Sequence, residues 1–153
     1  MPVIAGVRTP PIEGLEMRYP VLFEQRALAP DSGGVGKHRG GLGIDARIQV
    51  LEDSNVIVRL ARTKRPSWGL QGGESGRVTE VVVHRPDAEP LRRGRLSTTL
   101  PAGSVVEIHT GGGGGYGPAS DRDPVDVHSD IAEGYITLPH AQRHYPHALP
   151  RAE

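Results

Sequence analysis

Alternation of apolar and polar positions is clearest just after Gly43. Ile44, Ala46, Ile48 and Val50 alternate with Asp45, Arg47 and Gln49, the period of a strand with one buried and one wet face. Asp53-Ser54-Asn55 makes a short turn and "VIVRLART" (56–63) returns, so these two runs form the best hairpin candidate. Four more segments read as strands: 21–30, ended by Pro30, then 77–86, 104–110 and the weaker 95–101, rich in residues that suit a pleated surface. Beyond residue 122 the period changes. Asp123 can cap a helix with Pro124 at its first position, where a missing N–H costs nothing. Val127 and Ile131 fall four apart, and Gly134 is a natural stop. A second short helix starts at Thr137, carries Pro139 in its first turn, and ends before Pro146, because the residue preceding a proline avoids the helical region. The predicted fold class is therefore mainly β: a bent, barrel-like arrangement of antiparallel sheets with a short C-terminal helical tail. One domain over 1–153 is expected, with the tail at about 123–146 and helix confined to residues beyond about 122.

Composition sharpens this picture. The 153 residues include 21 Gly and 14 Pro, clustered between the alternating runs, which argues for many tight turns. There is no Cys; disulfides and thiolate metal sites are excluded, and a reducing, cytoplasmic location is expected. Eighteen basic and eighteen acidic side chains cancel, and only one Trp, one Phe and four Tyr are present, so no nucleic-acid partner is expected. The apolar runs are far too short for a membrane span. "MPVIAGVRTPP" at the start lacks the basic and long apolar regions of a secretory leader.

Candidate chemistry lies in the glycine-rich segments. Gly112, Gly114 and Gly117 satisfy G-x-G-x-x-G, but any five-glycine run does so, and no helix begins within the loop to face a phosphate. The favoured reading of Gly112–Gly115 is a backbone that needs positive φ or close packing against another surface. The alternative is a loop whose bare amides line a ligand pocket shared with another chain. In "DSGGVGKHRGGLG" (31–43), Lys37, His38 and Arg39 could bind an anion, while Gly40 and Gly41 could simply admit a bend; the structural reading is favoured. Trp68 sits in a Pro/Gly-rich loop, where it can seal a barrel end, the favoured role, or dock on a partner. His140 and His144 have the spacing of zinc proteases, but Ala141 stands where those need Glu, so the pair reads as surface. No catalytic residue and no metal ligand is assigned. The candidate interface or ligand contacts are Lys37, His38, Arg39, Gly40, Gly41, Trp68, Gly112, Gly113, Gly114, Gly115 and Tyr116.

Four motifs in order, "TPPIEGLEMRYPV", "DSGGVGKHRGGLG", "RPSWGLQGGESG" and "GGGGGYGPASDRDP", resemble the C-terminal part of hydantoinase B proteins. The same family includes the matching parts of 5-oxoprolinases and of acetone and acetophenone carboxylases. The resemblance runs from about Thr9 to about Tyr145, with two departures: Pro118 directly follows Gly117, and Leu138 separates Thr137 from Pro139. A hydantoinase B protein is several times longer, and this chain is most similar to the small β subunit of an acetophenone carboxylase-type complex. The resemblance implies a complex that uses ATP to phosphorylate an amide or enolate oxygen, followed by hydrolysis or by carboxylation with bicarbonate. It implies larger hydantoinase A-like and hydantoinase B-like partners. These would hold the ATP and a divalent cation, leaving no cofactor in this chain. The leading expectation is thus a small, non-catalytic subunit of an ATP-dependent ketone carboxylase. The alternatives are a subunit of an ATP-dependent cyclic amide hydrolase and an independent small-ligand-binding β module. A side chain placed at Gly113 or Gly114 is expected to weaken assembly and leave the isolated chain folded.

Overall fold

The computed structural model describes residues 10–150; the reading of Met1–Thr9 as part of a leaderless start lies outside them. Strand β2 (Ile44–Val50) is the pivot. It pairs antiparallel with β1 (Val21–Leu28) on one edge and with β7 (Val105–His109) on the other. The register matches like with like: Phe23 and Val106 both lie opposite Ile48, and Arg47 lies opposite Glu107, so apolar and ionic cross-strand pairs fall on opposite faces. Beyond β7 come β4 (Glu80–Arg85) and β5 (Ala88–Arg93), giving the order β1-β2-β7-β4-β5. A separate two-stranded ribbon of β3 (Ser54–Arg59) and β6 (Arg95–Leu100) faces this sheet.

The mainly β, antiparallel fold is as expected, but the layers bend over one another without closing into a barrel. The expected hairpin of β2 with β3 does not form. A strand has two edges, and both edges of β2 are taken; the Leu51 N–H donates to Pro20 O at 2.8 Å, and the chain then crosses to the facing layer. Strand β5, AEPLRR, was not expected. It lies at a sheet edge, one of the few places a strand tolerates proline. One helical turn, α1 (Ile12–Glu16), also departs from the expectation that helix is confined beyond about 122. It is pinned to β1 by the Glu16 carboxylate, which accepts the Phe23 N–H at 2.7 Å.

Two clusters hold the chain. Val50, Val58, Val81, Val83, Leu96, Leu100 and Val106 are buried between sheet and ribbon, each such side chain stabilising by roughly 1.5–3 kcal/mol. The second joins helices α2 (Pro124–Ala132) and α3 (Leu138–His144) to the loop around Val35 through Val127, Ile136, Ala141, Tyr145 and Ala148. Both helices carry the expected caps. Asp123 accepts the Val125 N–H at 2.9 Å and Thr137 accepts the His140 N–H at 3.3 Å. Gly134 ends its helix at φ +72°, a left-handed conformation that glycine adopts freely. Among the described residues no helix is long and apolar enough to cross a membrane.

Candidate functional site

Three glycine-rich loops, 31–43, 67–77 and 110–117, meet beyond the strand ends and knit together through their backbones. The Gly34 N–H donates to Gly113 O and the Gly113 N–H to Gly41 O, both at 2.8 Å. The Gly115 N–H donates to Glu74 O and the Leu70 N–H to Gly115 O, both at 2.9 Å. Tyr116 and His38 exchange a pair of bonds at 2.9 Å, and the Gly117 N–H reaches Leu70 O at 3.0 Å. Chains this close leave no room for side chains. A methyl group on Gly112 would lie 2.0 Å from Ser32 O, on Gly114 1.9 Å from Trp68 O, on Gly115 2.0 Å from Val35 O, and on Gly40 2.1 Å from Gly113 O. Gly113 is looser, at 3.1 Å from Gly41 N, and Gly41 faces open space.

This corrects two expectations. None of Gly112–Gly115 has positive φ; in that stretch only Gly117 does, at +74°. The surface packed against Gly114 is also the chain's own backbone, so a side chain there disrupts the isolated fold and not only assembly. Nor do most of the amides stand open: five of the seven from Gly111 to Gly117 are bonded. The N–H groups of Gly113, Gly115, Tyr116 and Gly117 all donate to carbonyls of this chain, and Gly111 donates to Thr79 Oγ1 at 2.9 Å. A phosphate seeking those five amides would have to displace bonds already made, which is costly for partly buried groups.

A buried ionic clamp fixes the junction from behind. Asp130 on α2 accepts from Arg39 Nε at 2.8 Å, Arg39 Nη2 at 3.0 Å and Arg122 Nη2 at 2.7 Å. Arg39, the candidate anion contact, is therefore committed to Asp130, and that hydrogen bond raises its pKa further. The Tyr145 hydroxyl reaches between the loops, accepting the Gly36 N–H at 3.2 Å, and burial raises its pKa. Asp31, at φ +59°, accepts the Thr137 N–H at 2.7 Å and its hydroxyl at 2.8 Å. The His140 and His144 rings stack 4.5 Å apart near Asp31 and Glu74. Both are partly buried and so are not the plain surface pair expected. Burial lowers the pKa of His140. Asp31, Arg122 and Asp130 were missed in the sequence; the only available signal was their position in or beside the matched motifs.

The outer face of the junction is different. Tyr116 is bridged to His38 on one side and Leu70 on the other, and Trp68, two residues before Leu70, touches Gly114 through its carbonyl. Trp68, Leu70 and Tyr116 are 68%, 56% and 51% exposed, so Trp68 does not seal a barrel end. Arg62 lies 5.7 Å from its ring, while Lys37, His38 and Gly41 are exposed nearby. Rigid exposed aromatics with a cationic rim suit protein contact.

The polar face of the sheet carries a further network. Arg47 bridges Glu24 and Glu107, His84 Nε2 lies 3.2 Å from Glu107, and Asp45 accepts from Arg77 at 2.6 Å and meets His109 Nδ1 at 3.0 Å. Burial pushes the Asp45 and Glu107 carboxyls up, but the neighbouring groups, Arg77 and His109 at the first and His84, Arg47 and His109 at the second, together outweigh it and hold both below the usual range. Among the described residues no three His, Asp or Glu side chains are placed to share a metal ion.

Comparison with known proteins adds a context. The profile of the Hydantoinase B/oxoprolinase family matches residues 2–119. An uncharacterised protein of Methanocaldococcus jannaschii is 37% identical over 88% of this chain and 24% of its own length. The B component of a putative D-/L-hydantoinase from a Pseudomonas species is 32% identical over 87% of this chain and 23% of its own. Among solved structures, nucleotide-free acetone carboxylase matches with a TM-score of 0.73 at 22% identity, over 89% of this chain and 22% of that one. The ATP-dependent caprolactamase of Pseudomonas jessenii matches with a TM-score of 0.72 at 26% identity, over 88% and 24%. The chain spans about a quarter of the length of these two curated relatives.

Proposed function

This chain belongs to the hydantoinase B/oxoprolinase family, and from that premise we propose that it is a non-catalytic subunit completing a hydantoinase B-like partner in an ATP-dependent complex. One observation carries this reading: nearly the whole chain aligns with a quarter of proteins named as subunits of larger enzymes. The glycine junction serves as a rigid platform. It presents Trp68, Leu70 and Tyr116 to a partner, with Lys37 and His38 at the rim. Most of its amides are bonded within the chain, which supports the reading that ATP and its divalent cation are held by the larger hydantoinase A-like and hydantoinase B-like subunits. The reaction we favour is the opening of a cyclic amide, because the relatives at or near 30% identity include hydantoinase and caprolactamase subunits. The second reading, carboxylation of a ketone by an acetophenone carboxylase-type complex, is the one the sequence motifs favour. Its support is the likeness to acetone carboxylase, which at 22% identity speaks for fold alone.

The test is purification of the tagged chain from its native cells. Hydantoinase A-like and B-like chains should co-purify in fixed proportion. The complex should consume ATP with a lactam or hydantoin, whereas the carboxylase reading requires a ketone and bicarbonate. Calorimetry on the isolated chain should give no stoichiometric ATP binding. ATP hydrolysis by the lone chain, or the absence of any hydantoinase-like partner, would sink the proposal.

A further inference from the structure

The two layers of the sandwich are unequal: five strands face two. The ribbon covers the middle of the apolar face but not its β1–β2 side. There Phe23, Ile48 and Ile108 floor an open groove of about 260 Å³, closed at one end by Leu15 and Tyr19. Every lining side chain is aliphatic or aromatic. The far wall is Val56, Ile57 and Val58 of β3. Consecutive strand residues point to opposite faces, so three in a row can line one wall only if the strand turns its edge to the groove. Among the described residues β3 pairs with β6 alone, leaving that edge without a neighbouring strand. An edge beside an apolar floor is the arrangement that accepts an added strand: backbone bonds give affinity, and alternate side chains enter the groove.

Resting on the function proposed above, we infer that this groove receives an extended segment of the hydantoinase B-like partner. The segment pairs with the free edge of β3 and sets every second side chain, apolar and uncharged, against Phe23, Ile48 and Ile108. β3 is six residues long, so a strand of similar length fits. The choice of occupant rests on the length of the relatives. They carry some three quarters of their chain outside the part matched here, and on the function proposed above the hydantoinase B-like partner supplies that remainder. The groove offers no charge to recognise, which excludes an ionic or anionic occupant and selects an apolar strand.

Hydrogen exchange on the purified complex tests this, compared with the isolated chain. Amides within residues 54–59 that point away from β6 should exchange about tenfold or more slowly in the complex. A photo-reactive benzoylphenylalanine at Phe23 should cross-link to a partner peptide with alternating apolar residues. Ile48→Glu, with an unchanged circular dichroism spectrum, should weaken partner binding by about tenfold or more. A partner that binds without slowing exchange in 54–59 overturns the groove assignment and leaves the proposed role in a complex standing. A cross-link from Phe23 to a second copy, or to residues 1–9 of the same chain, overturns it likewise. If no hydantoinase B-like chain co-purifies, the proposed role fails and this inference falls with it.

Discussion

The glycine junction and the sheet–ribbon sandwich solve the same problem, holding distant segments together, in opposite ways. At the junction, backbones touch directly and are laced by hydrogen bonds between main-chain atoms. In the sandwich the layers are held apart by Val and Leu side chains, and part of the apolar face is left open. The first is closed and, at Gly40, Gly112, Gly114 and Gly115, intolerant of any added atom. The second tolerates exchange of one aliphatic for another and is unfinished. The motifs most distinctive in the sequence therefore mark the region with least freedom, while the region with room for a partner is written in ordinary Val and Ile.

Substitution within one loop system should break the comparison most sharply. Gly114→Val drives its side chain into Trp68 O and should cost more than about 3 kcal/mol, or prevent folding. Gly41→Ala, which meets open space, should stay within about 0.5 kcal/mol. Urea unfolding followed by circular dichroism measures both; equal effects would refute the close-packed account. Next in size is Asp130→Asn, which strips the charge partner from two buried guanidiniums and should cost about 3 kcal/mol. In the sandwich, Val83→Ala, fully buried, should cost about 2 kcal/mol. Ile48→Ala, partly exposed in the groove, should cost about 1 kcal/mol or less in the isolated chain. The smallest effect is on pH dependence. His140 faces Asp31, Glu74, Arg143 and His144, and its folded pKa lies below the ordinary 6.5. The unfolded state then binds more protons, so this contribution is fully present above about pH 6.5 and is lost as pH falls through the depressed folded value. His140→Gln should flatten the stability profile as pH falls below about 6.5, measured as urea midpoints.

What could be read from the sequence was local. The alternation of β2 and the caps at Asp123 and Thr137 depend on residues within a few positions, and the strands and helices appear there. The pairing of β3 with β6, in place of β2, depends on which strands occupy both edges of β2, and no short-range pattern encodes that. β5 escaped because Pro90 and its charges suit an edge and nothing else. At the candidate site, the glycines were visible but not what they touch. Arg39 looked like a free cation because its carboxylate, Asp130, lies 91 residues away. Asp31 drew no reading of its own, and its grip on Thr137 spans 106 positions. Trp68 was expected to seal an end that does not exist, since the sheets never close.

The bond between Gly36 and the hydroxyl of Tyr145 joins residues 109 positions apart. A ribosome releases the loop around Gly36 long before the helix that ends at Tyr145. Until residues 111–117 emerge that loop has no glycine run to bond, and until Tyr145 emerges nothing wedges it. The sheet can collapse earlier, on Val50, Val81 and Val106. Contacts of such long sequence separation are slow to form and come late. Synthesis as far as Tyr145 is thus a precondition for wedging the junction, and a chain cut short before that residue would hold its glycine loops by their backbone bonds alone.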